Sequence, residues 1–426
     1  MVKVFLALYF LFPKINIISL PGFVTGIRMD DLCALGIVLY WLGKKKIPSI
    51  TLDKLVIFYF SVVTISFITS LSNLSIWEVL SYLRIIEYLV IAIAIVKFVS
   101  FQEIIKAIQI YLIINLGYCI LQWLFGFPAF ASIGPVYNSS RLYGLTGGAW
   151  ELGAIAAISA AYIAINDSTF KKSQPSRYFL FICFSLIILA SSRSQIPMLP
   201  IILLSIMGFS IDQSYRNVLN FRFFPYLLFF TFIVFFGVNY LFFVINSLSR
   251  DEAIIMYNAG SLLGRSFELF SIENFTIFLD LARNTFITSS VSDLSGGSIW
   301  YVDQGSHEGA DDSFLIRAYK WMAVINILAN NLYYFIFGLG PGSLGDALDG
   351  GFLRSFAEYG ILIIFYYIEI VRRFLRYKSW FIIFSFFLPT MMFIDIHLSS
   401  KVQPLILALA LYSGQIQKNK RHEISN

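Results

Sequence analysis

The chain has 426 residues, of which 58% are hydrophobic and 13% charged, with a formal net charge of +6. A soluble globular domain carries about 25% charged residues, so this composition excludes one and points to a polytopic, all-α membrane protein. Lysine and arginine gather in short segments between apolar stretches, which is the pattern of membrane topology, so the basic balance does not imply a nucleic-acid partner.

In chain order the apolar stretches read as spans over 4–20, 29–43, 55–71, 79–99, 104–125, 149–165, 178–190, 196–211, 223–245, 356–371, 380–396 and 402–412. That is about 12 transmembrane helices, some reaching the roughly 20 residues a span requires and several shorter. The first does not read as a cleaved signal, because Pro13 and Lys14 follow its apolar run and no small-x-small site appears. Alternate connections carry Lys44 to Lys46, Lys171 and Lys172 with Arg177, Arg216 with Arg222, Arg372 and Arg373 with Arg376 and Lys378, and the tail Lys418, Lys420 and Arg421. The positive-inside rule places these clusters, and both termini, in the cytoplasm.

Residues 246–355 then face outward as a loop subdomain between a membrane part over 1–245 and another over 356–426. Within the loop, the apolar run 315–337 begins and ends on the outer side and reads as a surface or re-entrant helix. Cys33, Cys119 and Cys183 lie far apart inside spans, as packing residues would.

Ionisable groups in apolar spans are costly and therefore functional candidates. Here they sit at the outer ends: Arg84 and Glu87, Glu151, Arg193, Glu358, Asp395 and His397, joined by Arg141 and by Arg265, Arg317, Asp349 and Arg354 of the loop. A channel or pump places such groups near the midplane, whereas this distribution suits a site opening to one face. Several guanidinium forks suit a phosphate, and a lipid-linked diphosphate fits both the arginines and the membrane. Arginines stabilising a departing diphosphate can replace a metal, and a carboxylate near an acceptor hydroxyl can serve as general base.

Each candidate also has a structural reading. Arg84 and Glu87, spaced i, i+3, could neutralise one another. Arg193 could serve the tight turn over 191–195, and Arg317, beside the stripe Phe314, Ala318, Trp321, Ile325 and Leu328, could snorkel over the bilayer. Asp349 before Gly350 could be an N-cap, as could Asp311 and Asp312. The pairs Asp30–Asp31 and Asp311–Asp312 lack the further ligands of a metal site, and His307 and His397 are isolated. The Gly338-x-Gly340-x-Gly342 run follows a helix and lacks the strand of a dinucleotide site; it reads as a turn.

Three pieces of the sequence resemble the bacterial O-antigen polymerase and O-antigen ligase superfamily. They are Arg141-Leu-Tyr-Gly144 before a small-residue span, Ser192-Arg193-Ser194, and the stretch from Asp311 to Gly360 with Arg317, Trp321, Gly338-Leu-Gly340-Pro-Gly342 and Glu358-Tyr359-Gly360 in order. The resemblance implies a metal-independent glycosyltransferase without cofactor in the bacterial inner membrane. It would act at the periplasmic face on an undecaprenyl-diphosphate-linked glycan donor and acceptor, with a chain-length regulator protein as a further candidate partner. It also implies Arg193 and Arg317 as diphosphate ligands and Arg141 as a third; Arg84, Arg265 and Glu358 are supporting candidates by their place among the outer-end and loop charges. Ligases of this group carry a histidine where this chain has Asp349, a departure that favours a polymerase with Asp349, or failing that Glu151, as base. The alternatives are a ligase transferring glycan to lipid A core and a lipid-linked oligosaccharide flippase.

Overall fold

The computed structural model describes residues 1–18, 26–44, 53–71, 76–131, 134–136, 141–170, 175–191, 193–207, 312–344, 350–376, 386–393, 395 and 399–425, with isolated positions between 225 and 276. Asp349, Arg265, His307 and His397 lie outside the described residues, as does almost all of 246–311. The described part is mostly helical. Its first half runs through α1 (Val2–Leu11), α2 (Met29–Gly43), α3 (Lys54–Thr69), α4 (Ile76–Phe98), α5 (Phe101–Phe125), α6 (Ala149–Phe170), α7 (Pro175–Leu189), a 3-10 turn (Arg193–Gln195) and α8 (Met198–Ile206). Two antiparallel ribbons that the apolar pattern did not announce pair Asn16–Ile18 with Ile27–Arg28 and Ala129–Ala131 with Gly134–Val136.

Local chemistry sets the helix limits. Between α4 and α5, Ser100 and Glu103 form a reciprocal capping box, satisfying backbone donors that the first turn of a helix leaves open. The Asp31 carboxylate accepts from the Arg28 backbone N–H at 2.7 Å and starts α2. Asp53 caps α3 through the Leu55 N–H at 2.9 Å. Among the described residues two helices, Val79–Phe98 within α4 and Phe101–Phe125, are long and apolar enough to cross a membrane, and the remaining apolar helices are shorter.

The second half comprises α9 (Asp312–Asn330), α10 (Leu332–Phe337), α11 (Gly351–Tyr359), α12 (Ile363–Arg376), α13 (Leu388–Phe393) and α14 (Val402–Ser425). The sequence suggests one helix over 315–337, but Asn331 divides it by leaving the helical region and accepting from the N–H groups of Tyr333 and Tyr334. The expected span over 356–371 is likewise divided between α11 and α12 at Gly360. The cause is a close backbone clasp: Leu339 N donates to Ala357 O at 2.8 Å, Gly340 N to Glu358 O at 3.0 Å and Ile361 N to Phe335 O at 2.9 Å. A Cβ at Gly338 would overlap the Glu358 carbonyl, and one at Gly360 the Ile336 carbonyl.

Long-range hydrogen bonds sort the helix ends onto two faces. On one, Lys401 ahead of α14 meets the C-terminal end of α1 and the loop into α6, and Ser66 of α3 meets Glu358. On the other, Lys3 meets Glu103, Arg373 meets Asp53, and the Tyr412 hydroxyl donates to Ile95 and Val99 carbonyls. Between these faces α6 and α14 form the centre. Every residue from Glu151 to Ile163 and from Val402 to Ser413 is buried. Ala154, Ala156, Ala157, Ala160 and Ala161 let the neighbours of α6 approach closely, and the Tyr162 hydroxyl reaches the Leu405 carbonyl at 2.8 Å.

Candidate functional site

The charged face is built from three nodes, the first at the mouth of α6. Glu151, fully buried, accepts from Gly147 N on Oε2 at 2.7 Å and pairs through Oε1 with Lys14 at 2.9 Å and with the Ser399 hydroxyl. Both carboxylate oxygens are thus engaged at a helix N-terminus, where the backbone N–H groups already favour negative charge; this is the geometry of an anchor more than of a base turned to substrate. Beside it the Lys401 ammonium, 1% exposed, donates to the carbonyls of Phe10 and Phe12 at 2.9 Å and of Leu145 at 3.0 Å. Burial pushes Lys401 down to about 8 against the opposing pull of Glu151.

The second node carries the segment Arg141 to Gly144. Its backbone is held from α5: the Gln122 side-chain oxygen accepts from Tyr143 N at 3.3 Å and Gly144 N at 3.0 Å, and the Asn115 oxygen accepts from Leu145 N at 3.0 Å. From this platform Arg141 Nε donates to Ala190 O at 3.3 Å and Nη2 to Ser191 O at 3.1 Å, while Leu142 N donates to Leu189 O at 3.3 Å. Three successive carbonyls at the end of α7 therefore receive donors from one segment some 50 residues earlier. The turn they form leads directly into the Arg193–Gln195 turn, where the fully buried Gln195 amide reaches the Thr390 hydroxyl of α13 at 3.4 Å.

At the third node, Arg354 of α11 joins two carboxylates. Its Nε donates to Glu358 Oε1 at 2.8 Å and its Nη1 to Asp395 Oδ2 at 3.2 Å, and Asp395 Oδ1 accepts from Gly350 N at 3.0 Å. Burial works to lower the Arg354 guanidinium, but Glu358 and Asp395 overcome it and hold the group above its ordinary value. Trp321 of α9 sits over Gly350, with its indole Nε1 2.9 Å from where a Cβ would stand. Because α13 packs on both the Arg193–Gln195 turn and α11, and α9 packs on α11, the second and third nodes adjoin.

A further buried cluster lies where α2 meets α4. Arg28 stands 3.0 Å from Asp30, and Arg84 contacts Asp31 at 3.8 Å and donates to Gly26 O at 2.7 Å. The i, i+3 neutralisation of Arg84 by Glu87 is thus replaced by a pairing across helices.

The structure brings together Arg141, the Arg193 turn, Glu358 and the residue following Asp349. Glu151 and Arg84 belong to separate nodes. Arg193 and Arg317 are described in backbone only, in the 3-10 turn and in α9. Sequence reasoning did not single out Lys401, Ser399, Asn115 or Gln122, and used Lys14 only as an argument against a cleaved signal. Asn115 and Gln122 carried a usable signal, two amides seven residues apart on one face of the otherwise mostly apolar second half of α5. Among the described residues no group of three or more His, Cys, Asp or Glu side chains is placed to hold a metal ion. No family model, curated protein or solved structure matches the chain.

Proposed function

We propose that the chain is a polytopic membrane glycosyltransferase of the O-antigen polymerase type. It lengthens a glycan carried on undecaprenyl diphosphate by one lipid-linked repeat unit at a time, at the periplasmic face of the bacterial inner membrane. The observation that carries this reading is the contiguity of the three sequence pieces on which the resemblance rests. Arg141 holds the turn before Arg193, Gln195 meets α13, and Asp395 beyond α13 holds Gly350 and Arg354 beside Trp321.

The membrane setting is supported by an inverted polarity. Leu32, Leu35, Leu39 and Leu42 lie along one face of α2 at 45 to 66% exposure, while Glu151, Arg354, Glu358 and Lys401 are essentially buried. Water would not leave such a leucine stripe uncovered; lipid would. About 12 spans are supported by the apolar stretches, and cytoplasmic termini by the basic clusters in alternate connections.

In the reaction, the donor diphosphate is gripped by Arg193 and Arg317 while its polyisoprenoid tail lies among the helices. A hydroxyl of the acceptor repeat unit attacks the anomeric carbon of the donor. The carbon–oxygen bond to the diphosphate breaks, the diphosphate leaves with the electron pair, and the hydroxyl proton passes to Asp349. Glu151, tied to Lys14, Ser399 and Gly147, serves the framework. Reconstitution with lipid-linked repeat units tests the assignment: elongated glycan is the expected product. Transfer only on addition of lipid A core would make the protein a ligase, and movement of the lipid without a new bond would make it a transporter. Arg193→Lys and Arg317→Lys keep charge but lose the planar fork, and each is expected to lower elongation on the order of 100-fold. Full activity in both would remove the diphosphate role.

A further inference from the structure

We propose that Arg141 is a positioning residue, which acts on the diphosphate only through the turn that carries Arg193; this rests on the transferase reading above. Its side-on fork, Nε and Nη2, is committed to two consecutive backbone carbonyls, those of Ala190 and Ser191. Together with Leu142 N on Leu189 O at 3.3 Å, this satisfies carbonyls that the end of α7 leaves without intrahelical partners, and it puts a cation where the helix end is negative.

The turn needs such a clamp. Ser191 has φ 48°, the one non-glycine residue with positive φ among the described residues, and an L side chain in that region costs about 1–2 kcal/mol. Two residues further on the 3-10 turn begins at Arg193, and its other end is pinned by Gln195 on Thr390. The backbone of Arg193 is therefore fixed from both sides. The platform under Arg141 is itself held at three points, by Gln122 and Asn115 of α5 and by the Lys401 ammonium on Leu145 O. The buried polar groups of α5 and the charge ahead of α14 thus acquire one shared purpose, a stiff frame for the Arg193 turn.

The test compares Arg141→Gln, Ser191→Gly and the double variant in the full-length protein. Amide exchange over 190–195 is measured by mass spectrometry beside elongation of lipid-linked repeat units. Arg141→Gln is expected to speed exchange there on the order of 10-fold by removing two hydrogen bonds, and to lower elongation with it. Ser191→Gly alone leaves elongation near wild type. In the double variant glycine removes the steric penalty of the left-handed turn, so exchange slows again and elongation recovers at least threefold, within the roughly 5- to 30-fold worth of that penalty.

Unchanged exchange in Arg141→Gln, or lost elongation with no recovery in the double variant, would overturn the proposal; the latter outcome makes Arg141 a direct ligand. If Arg141→Gln does not fold, Arg141→Lys takes its place in the same exchange measurement. Failure of the transferase reading shows separately, as no elongation by wild type, and failure of the diphosphate role as full elongation by both Arg193→Lys and Arg317→Lys. The exchange data then decide alone whether Arg141 holds the turn.

Discussion

Arg354 shows how much a single residue decides on this face. It is 1% exposed and bridges Glu358 of its own helix to Asp395, 41 residues further along the chain. Removing one partner of a buried ion pair leaves the others charged and undesirably dry, which costs about 3–5 kcal/mol. Arg354→Ala is therefore expected to lower unfolding stability in detergent by about that amount, and the triple variant Arg354→Met, Glu358→Gln, Asp395→Asn to recover most of it. A single variant as stable as wild type would show that the three groups do not form a closed unit. The sequence marked Glu358 and Asp395 as charges at outer ends of spans and Arg354 as a charge of the outer loop. The i, i+4 spacing of Arg354 and Glu358 is local and could be paired from the sequence, but the contact to Asp395 could not, because it depends on where α13 packs.

The division of α11 from α12 is an event at the scale of the element. The mostly apolar stretch 356–371 offers only the lone Gly360 as a sign of a break, since hydrophobic periodicity registers which faces are buried and not how near another backbone comes. The turn over 338–342 was legible, because glycine and proline together stop a helix; its partner Gly360 was not, because the need for glycine there arises from the Ile336 carbonyl. Gly338 and Gly360 both have positive φ, 81° and 68°, and neither site has room for a methyl group. Strain at such a position costs on the order of 1–3 kcal/mol before any clash. Gly360→Ala is expected to open the clasp and expose 338–361 to limited proteolysis, with a matching loss in thermal stability. Resistance equal to wild type would mean that the clasp does not join the two segments.

For the whole molecule the decisive feature is an inversion of polarity, with the leucine stripe of α2 uncovered while Glu151, Arg354, Glu358 and Lys401 are buried. Leu35 lies on the uncovered face of α2 at 53% exposure, and its substitution separates the two solvents sharply. On a water-facing surface Leu35→Asp would change stability within about 0.5 kcal/mol. In a lipid-facing span it costs about 2.5–3.5 kcal/mol, so a strong loss of membrane insertion in a translocation assay is expected. Insertion at the wild-type level would sink the membrane setting. The division of labour in the bundle follows from the same inversion: α6 and α14 can be enclosed on all sides because alanine lets neighbours close in, and the outer helices turn leucine, isoleucine and phenylalanine outward.

Composition and the one-dimensional order of apolar and basic stretches determined the helical class and the positions of most helices. These are sums over local residues and need no knowledge of neighbours. Only the tertiary structure decided that Arg84 meets Asp31, that Lys401 closes on three carbonyls and that Arg141 grips the turn before Arg193. Such pairings depend on which helices lie side by side, and the strength of a buried charge or a left-handed serine is set by the groups that packing brings within hydrogen-bond reach.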